Sequence, residues 1–246
     1  GYVYFAVEGE ALGSRRTREA GKHAIARRKL GRHPVDETEP TDHLVAKYMI
    51  DKNTGMRFVD EAEQPFEENA ERARELLAEA GYPNGEGFPK LTYNYPTLEM
   101  DSDTAQVIKE QLKQNLNIDI GLKEQERQAN YSSRYAGDFD LCRMNWTADF
   151  ADPYTYLSML LSNSTYNCSG IQDEEYDAIV EASSREQDPA ARSELLHQAE
   201  QRAVGEQFYI IPLYAMKSVN LVNPEITGIR QIPASGALEY RYADIG

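Results

Sequence analysis

The sequence predicts an α/β fold, a mixed sheet flanked by helices. Three observations carry this expectation. Short β-rich runs alternate with longer segments of helical periodicity. Several helical segments carry their own start signals, most clearly Asp152-Pro153 and Asp188-Pro189, a capping aspartate followed by proline at the first helical position. The composition, 41% hydrophobic and 27% charged over 246 residues, allows a real core and one large or two small domains.

Taken in order, residues 2–7 are β-rich and predict a strand, and residues 15–30 predict a helix weakened by Gly21. Residues 31–65 read as loop, punctuated by Pro34, Pro40, Gly55 and Pro65. Ala70, Ala73, Leu76, Leu77 and Ala80 recur at three and four, which predicts a helix over 67–80 stopped by Gly81. A turn-rich stretch, 82–89, leads to a strand at 91–96. Asp103 is the expected cap of a helix running to Leu116, with Ala105, Ile108 and Leu112 on one face. Ile118, Ile120 and Leu122 alternate, which predicts a strand over 118–124. A helix at 129–137, a strand at 140–146 and helices at 153–161, 173–184 and 189–204 follow. Two late strands, 210–214 and 218–222, flank a turn, and the final 25 residues look extended and irregular.

The charge balance narrows the function classes. Asp and Glu number 41 against 26 Lys and Arg, a net charge of −15, unfavourable for general nucleic-acid binding, which needs surplus cations. Eight basic residues between Arg15 and Arg32 face Glu19 alone, so this segment carries +7 and the rest of the chain −22. It lacks aromatic interleaving for base stacking and is expected to be the solvated face of a helix. No apolar run reaches the length that spans a bilayer. His23, His33, His43 and His197 show no metal-binding spacing, and neither a metal nor a cofactor is predicted. Cys142 and Cys168 are either one disulfide or two separate thiols. No nucleophile motif or phosphate-binding glycine loop occurs. The chain opens at Gly1 without a methionine or a secretory pattern, as expected of a processed or excised piece.

The informative stretch is Gly137-Asp138-Phe139-Asp140, then a strand, then Trp146-Thr-Ala-Asp149-Phe-Ala-Asp152-Pro153-Tyr-Thr-Tyr-Leu157. It resembles the signature of the extracellular solute-binding proteins of ABC peptide importers, which reads Gly-Asp-Phe-Asp, strand, Trp-x-x-Asp-Tyr-x-Asp-Pro-x-x-Phe-Leu. Residues 72–85, 112–120, 175–179 and 211–214 resemble further blocks of that family in the same order. Residues 1–60 match less closely, with Gly21 where Leu is usual and Ala26 where Asp is usual.

The resemblance implies one lobe of a two-lobe, class II periplasmic-binding-protein-like fold. Residues 1–214 are then the C-terminal ligand-binding lobe, with 1–7 the hinge-entry strand and 8–65 less regular. Residues 215–246 are the hinge return and tail, belonging to a missing N-terminal lobe. It also implies capture of short peptides without catalysis, delivery to a membrane ABC permease, an extracytoplasmic location and a monomer. A nickel chelate, haem or oligosaccharide as ligand, or a peptide-sensing role without transport, are the alternatives within the fold.

Four residues are the candidate ligand contacts. Asp149 is a fixed carboxylate for a peptide ammonium, or else a helix or turn cap; the resemblance favours the ammonium. Trp146, the single tryptophan, is a pocket wall or core filler. Arg143 sits in an otherwise apolar strand, where it pairs with a peptide carboxylate or with Asp138 or Asp140. Asn145 is expected to hydrogen-bond a peptide backbone. Tyr95 and Tyr131 are weaker candidates. Asp152, before Pro153, is expected to be an N-cap rather than half of a hydrolytic carboxylate pair.

Overall fold

The computed structural model describes residues 1–7, 9–30, 38–52, 54–61, 68–216, 220–232 and 237–245. Its elements are β1 (Tyr2–Phe5), α1 (Glu10–Gly13), α2 (Arg15–Ala24), β2 (Thr38–Pro40), α3 (Phe58–Glu61), α4 (Ala70–Glu79), β3 (Thr92–Pro96), α5 (Glu99–Leu116), β4 (Gly121–Gln125), α6 (Arg127–Tyr135), β5 (Leu141–Met144), α7 (Tyr154–Leu157), α8 (Glu174–Arg185), α9 (Pro189–Glu200), β6 (Ile210–Pro212) and β7 (Tyr214–Met216). Beyond β7 the described residues form only two-residue pairings and are mostly exposed. Of the sequence expectations, Pro34, Pro65, Arg32, residue 67 and residues 218–219 lie outside the described residues.

The main sheet has the order β4-β3-β5-β1-β6. Strands β4, β3 and β5 run parallel, and β1 runs antiparallel to both of its neighbours, β5 and β6. Both faces are covered, as a mostly parallel sheet requires. Val3, Phe5, Tyr93, Tyr95, Leu141 and Ile211 point into one core, closed by α2, α4 and α5. Tyr2, Tyr4, Cys142, Met144 and Ile210 point into the other, closed by α3, α7, α8 and α9. The two-residue period of the strands thus divides one sheet between two cores.

Local chemistry explains most of the boundaries. Asn69 caps α4 by accepting from the Glu71 and Arg72 amides at 3.1 and 2.9 Å. Asp173 and Asp188 cap α8 and α9. Asn117 stops α5 in a left-handed conformation, φ 57°. Gly85, φ +75°, lies against that end: a Cβ here would stand 2.7 Å from the Leu116 carbonyl.

Several expectations are corrected. Helix α5 begins at Glu99, so Asp103 lies inside it and is not its cap. Ile118 and Ile120 are buried but precede β4, an edge strand whose own residues are largely exposed. Region 31–65 contains β2 and α3. Of the two late strands, 210–214 is divided between β6, which joins β1, and β7, which joins β2 with Pro40 opposite Tyr214, and residues 220–222 form no strand. Of the two alternatives left open for Cys142 and Cys168, the structure has the two separate thiols, and burial pushes the Cys142 thiol up to about 12.

The basic segment is a solvated face only in part: Arg15, Arg16, Arg28 and Lys29 are exposed, but Arg18, Lys22 and Arg27 are buried. Helix α9 passes into a π-helical turn, Gln201–Glu206, which ends with Phe208 at φ 54°. This leaves carbonyls without helical partners. Arg15 donates to the Glu206 carbonyl at 2.8 Å, Arg18 to that of Gln207 at 2.9 Å, and Lys22 to that of Val204 at 2.6 Å. Arg27 donates to the Pro212 carbonyl at 2.7 Å and pairs with Asp42 at 3.0 Å. Burial, with Arg27 nearby, pulls the Lys22 ammonium down to about 7. Cations at a helix C-terminus also suit its dipole. Three of these cations, Arg18, Lys22 and Arg27, therefore serve the interior.

Candidate functional site

The topology marks one place on the sheet. After β3 the chain crosses through α5 on one face to reach β4. After β4 it crosses through α6 on the other face, where Asn94 donates to the Asp138 carbonyl at 2.9 Å, to reach β5. The chain leaves β3 toward the α5 face and leaves its neighbour β5 toward the opposite, α7 face, so the carboxyl ends of these two strands form a switch point of the kind at which open α/β sheets bind ligands. The segment leaving β5 there is Asn145 to Asp149.

A concavity of about 520 Å³ opens beside this segment. Its walls are Gln128, Tyr131, Ser132, Arg134 and Tyr135 from α6 and Met144, Asn145 and Trp146 from the end of β5. Trp146 is half-buried, edge-on to Tyr166 with ring centroids 4.6 Å apart. Its indole N–H donates to the buried Thr155 hydroxyl at 3.5 Å, and the Asp149 amide donates to the same oxygen at 3.2 Å. One hydroxyl of α7 thereby ties the tryptophan ring and the Asp149 main chain together.

The two aspartates of this loop differ sharply. Asp152 is buried, accepts from the Tyr154 amide at 3.0 Å and takes two bonds from Arg192, both 2.9 Å. Burial works against its charge, but the Arg192 fork and the Tyr154 amide hold the carboxyl below the usual range. Asp149 is exposed, and among the described residues its carboxylate has no hydrogen bond or ion pair. Asp152 precedes the N-cap position of α7, Pro153, and its carboxylate accepts from the first helical amide, that of Tyr154.

Arg143 is 2% exposed, on the α5 face of β5. Its structural partner is neither Asp138 nor Asp140 but Asp101 of α5, itself 1% exposed, with Nε 2.7 Å from Oδ1. Nη2 donates to the Tyr214 hydroxyl at 2.9 Å, and Nη1 donates to the Met144 carbonyl and to Asn145 Oδ1. Asn145 is exposed at the rim. Tyr131 reaches the concavity, whereas Tyr95 is buried in the α5-side core beside Tyr93 and does not.

Arg134 is the residue sequence reasoning missed. It is 5% exposed, lies 4.8 Å from the Tyr131 ring and 5.1 Å from that of Tyr135, and its Nε has no partner. No carboxylate pairs with it among the described residues. The available signal was an arginine followed by tyrosine near the end of an amphipathic helix, which does not by itself mark the buried side. Together these residues present an exposed carboxylate at Asp149, an aromatic wall and a buried cation.

The model of the bacterial extracellular solute-binding proteins, family 5, matches residues 1–168. The dipeptide-binding protein DppE of Bacillus subtilis is 26% identical over 99% of this chain and 45% of its own length. The periplasmic murein peptide-binding protein MppA of Escherichia coli is 33% identical over 67% of this chain and 31% of its own. The crystal structure of a periplasmic oligopeptide-binding protein from Borrelia burgdorferi superposes with a TM-score of 0.77 at 31% identity, covering 87% of this chain and 41% of that one. The chain thus spans less than half the length of these relatives. The fold expected from the signature, a mixed sheet with helices on both faces like the class II lobes, is the one observed. The chain belongs to the bacterial extracellular solute-binding proteins of family 5.

Proposed function

We propose that this chain is the ligand-binding lobe of a peptide-capturing protein. A second lobe closes over the carboxyl edge of the sheet, short extended peptides are held between the two, and the closed form presents them to an ABC permease outside the cytoplasm. Residues 1–214 form the lobe, and residues 215–246 return to the second lobe. The observation that carries this reading is Asp149, an unpaired and exposed carboxylate at the switch point, whose main chain is tied to Trp146 through Thr155.

The physics follows from what all peptides share. A binder indifferent to side chains must hold the ammonium, the amides and the carboxylate. An ammonium taken out of water needs a fixed anion, which Asp149 supplies. Trp146 packs against an adjacent side chain, Asn145 bonds the backbone, and Arg134 takes a carboxylate of the ligand by charge-assisted bonds. Asp152 is held by Arg192 and has no part in covalent chemistry. Closure must favour the bound form for delivery to work.

The test is a two-lobe protein carrying this sequence, titrated with trialanine and then analysed by mass spectrometry. Binding with the peptide recovered intact is expected. Recovery of hydrolysed peptide, or no binding of any short peptide, contradicts the reading.

A further inference from the structure

We propose that Asn145 meets its ligand as a hydrogen-bond donor only, and that Arg143, held by Asp101, is the positioning residue that makes it so. The inference rests on the peptide reading above and adds the chemical sense of one contact. An asparagine amide carries an acceptor oxygen and a donor nitrogen, and its orientation usually decides nothing because it can turn over. Here it cannot. The atom facing Arg143 Nη1 must be an acceptor, because every polar atom of a guanidinium is a donor. Oδ1 is therefore turned inward against Arg143, and Nδ2 is turned away from it. Nδ2 has no partner among the described residues, and Asn145 is exposed at the rim of the concavity.

The guanidinium has little freedom to do otherwise. Asp101 contacts Nε at 2.7 Å, Tyr214 receives Nη2 at 2.9 Å, and the Met144 carbonyl shares Nη1 with Asn145. Arg143 and Asp101 are both almost completely buried, so each neutralises the other where an unpaired charge would be costly. Asp101 follows β3 and Arg143 ends β5, so the pair bridges the switch point beneath the rim. Its effect is to leave an N–H donor of fixed sense at Asn145, on the same segment leaving β5 that carries Asp149. A ligand atom opposite Asn145 must then accept, as a backbone carbonyl or a carboxylate does, while an N–H there is repelled. For a peptide whose ammonium lies at Asp149, this sets which edge of the nearby backbone turns toward the lobe.

The test uses the two-lobe protein carrying this sequence, trialanine as probe and calorimetry as readout. Asn145→Ala is expected to weaken binding roughly tenfold, one lost hydrogen bond. Asn145→Asp still accepts from Arg143 but sets an acceptor against an acceptor, so its loss should be at least as large. Arg143→Lys should weaken binding in the native background and add nothing in the Asn145→Ala background, because it acts through Asn145. Asn145→Asp binding as tightly as the native protein would overturn the donor-only assignment. Arg143→Lys losing the same factor in both backgrounds would place Arg143 on the ligand directly. The two Asn145 variants leave the buried pair untouched, so they decide the matter even where Arg143→Lys fails to fold. Native protein that binds neither trialanine nor other short peptides would remove the peptide reading and this inference with it.

Discussion

Replacing Asp149 with alanine in a two-lobe protein carrying this sequence is expected to weaken trialanine binding by about 3 kcal/mol, on the order of 100-fold. The same change should barely move the affinity for N-acetyl-trialanine, already low because it lacks the ammonium. The asymmetry is the point of the experiment. A hydrogen bond to a charged group contributes about 1.5–3 kcal/mol, and a charge pair shut away from water by closure lies at the upper end of that range. In the structure Asp149 has no other task. Its carboxylate is exposed and without a partner among the described residues, and the capping work of its loop falls to Asp152. Equal losses for both peptides would mean that Asp149 only shapes the loop.

The largest stability effect is expected at Asp173. Its carboxylate caps α8 by accepting from the Tyr176 amide at 3.1 Å, takes Arg202 at 2.8 and 2.9 Å, and accepts from the Tyr209 hydroxyl at 2.9 Å. One side chain thus joins α8, the π-helical turn after α9 and the approach to β6. Asp173→Ala removes a helix cap and leaves a partly buried arginine short of a partner, a loss of about 3–4 kcal/mol. Glu175, 2.9 Å from Arg202, limits the damage. Denaturant titration of the two proteins at neutral pH measures the difference, and a loss below about 1 kcal/mol would show the network to be dispensable. The pH dependence has a definite sign. Burial works against the charge of Asp173, but Arg202, the Tyr176 amide and Tyr209 hold the carboxyl below the usual range. Its contribution is therefore complete above the unfolded carboxylate pKa and is lost as the pH falls through the folded one. The gap between native protein and Asp173→Ala should close in acid.

What the sequence made legible, and what it did not, divides by distance along the chain. Helices α4, α8 and α9 were readable because periodicity and the Asp188-Pro189 start are local signals, although the Asn69 cap of α4 was passed over. Strands β1, β3 and β5 were readable for the same reason. Their order in the sheet was not, since it depends on pairings such as Tyr2 with Met144 and Pro212. The basic segment misled because charge pattern says nothing about which carbonyls lie nearby; the π-helical turn that uses Arg15, Arg18 and Lys22 is remote in sequence. The site divides in the same way. Asp149 and Trp146 stand in one contiguous motif, from which the sequence already proposes them. Arg143 was found as an anomaly in its strand, but its partner Asp101, on another element, was not. Tyr95 was misplaced because alternation along β3 does not say which face the site is on. Arg134 needed the structure, where its burial and unpartnered Nε became visible.

The central claim is that this chain supplies one half of a closing peptide site. The direct measurement is a pair of calorimetric titrations with trialanine, one on this chain alone and one on the two-lobe protein carrying it. Loss of the opposing contacts and of closure should leave the lone chain at least ~100-fold weaker, a gap of about 2.7 kcal/mol. Equal affinity of the two proteins would contradict the claim.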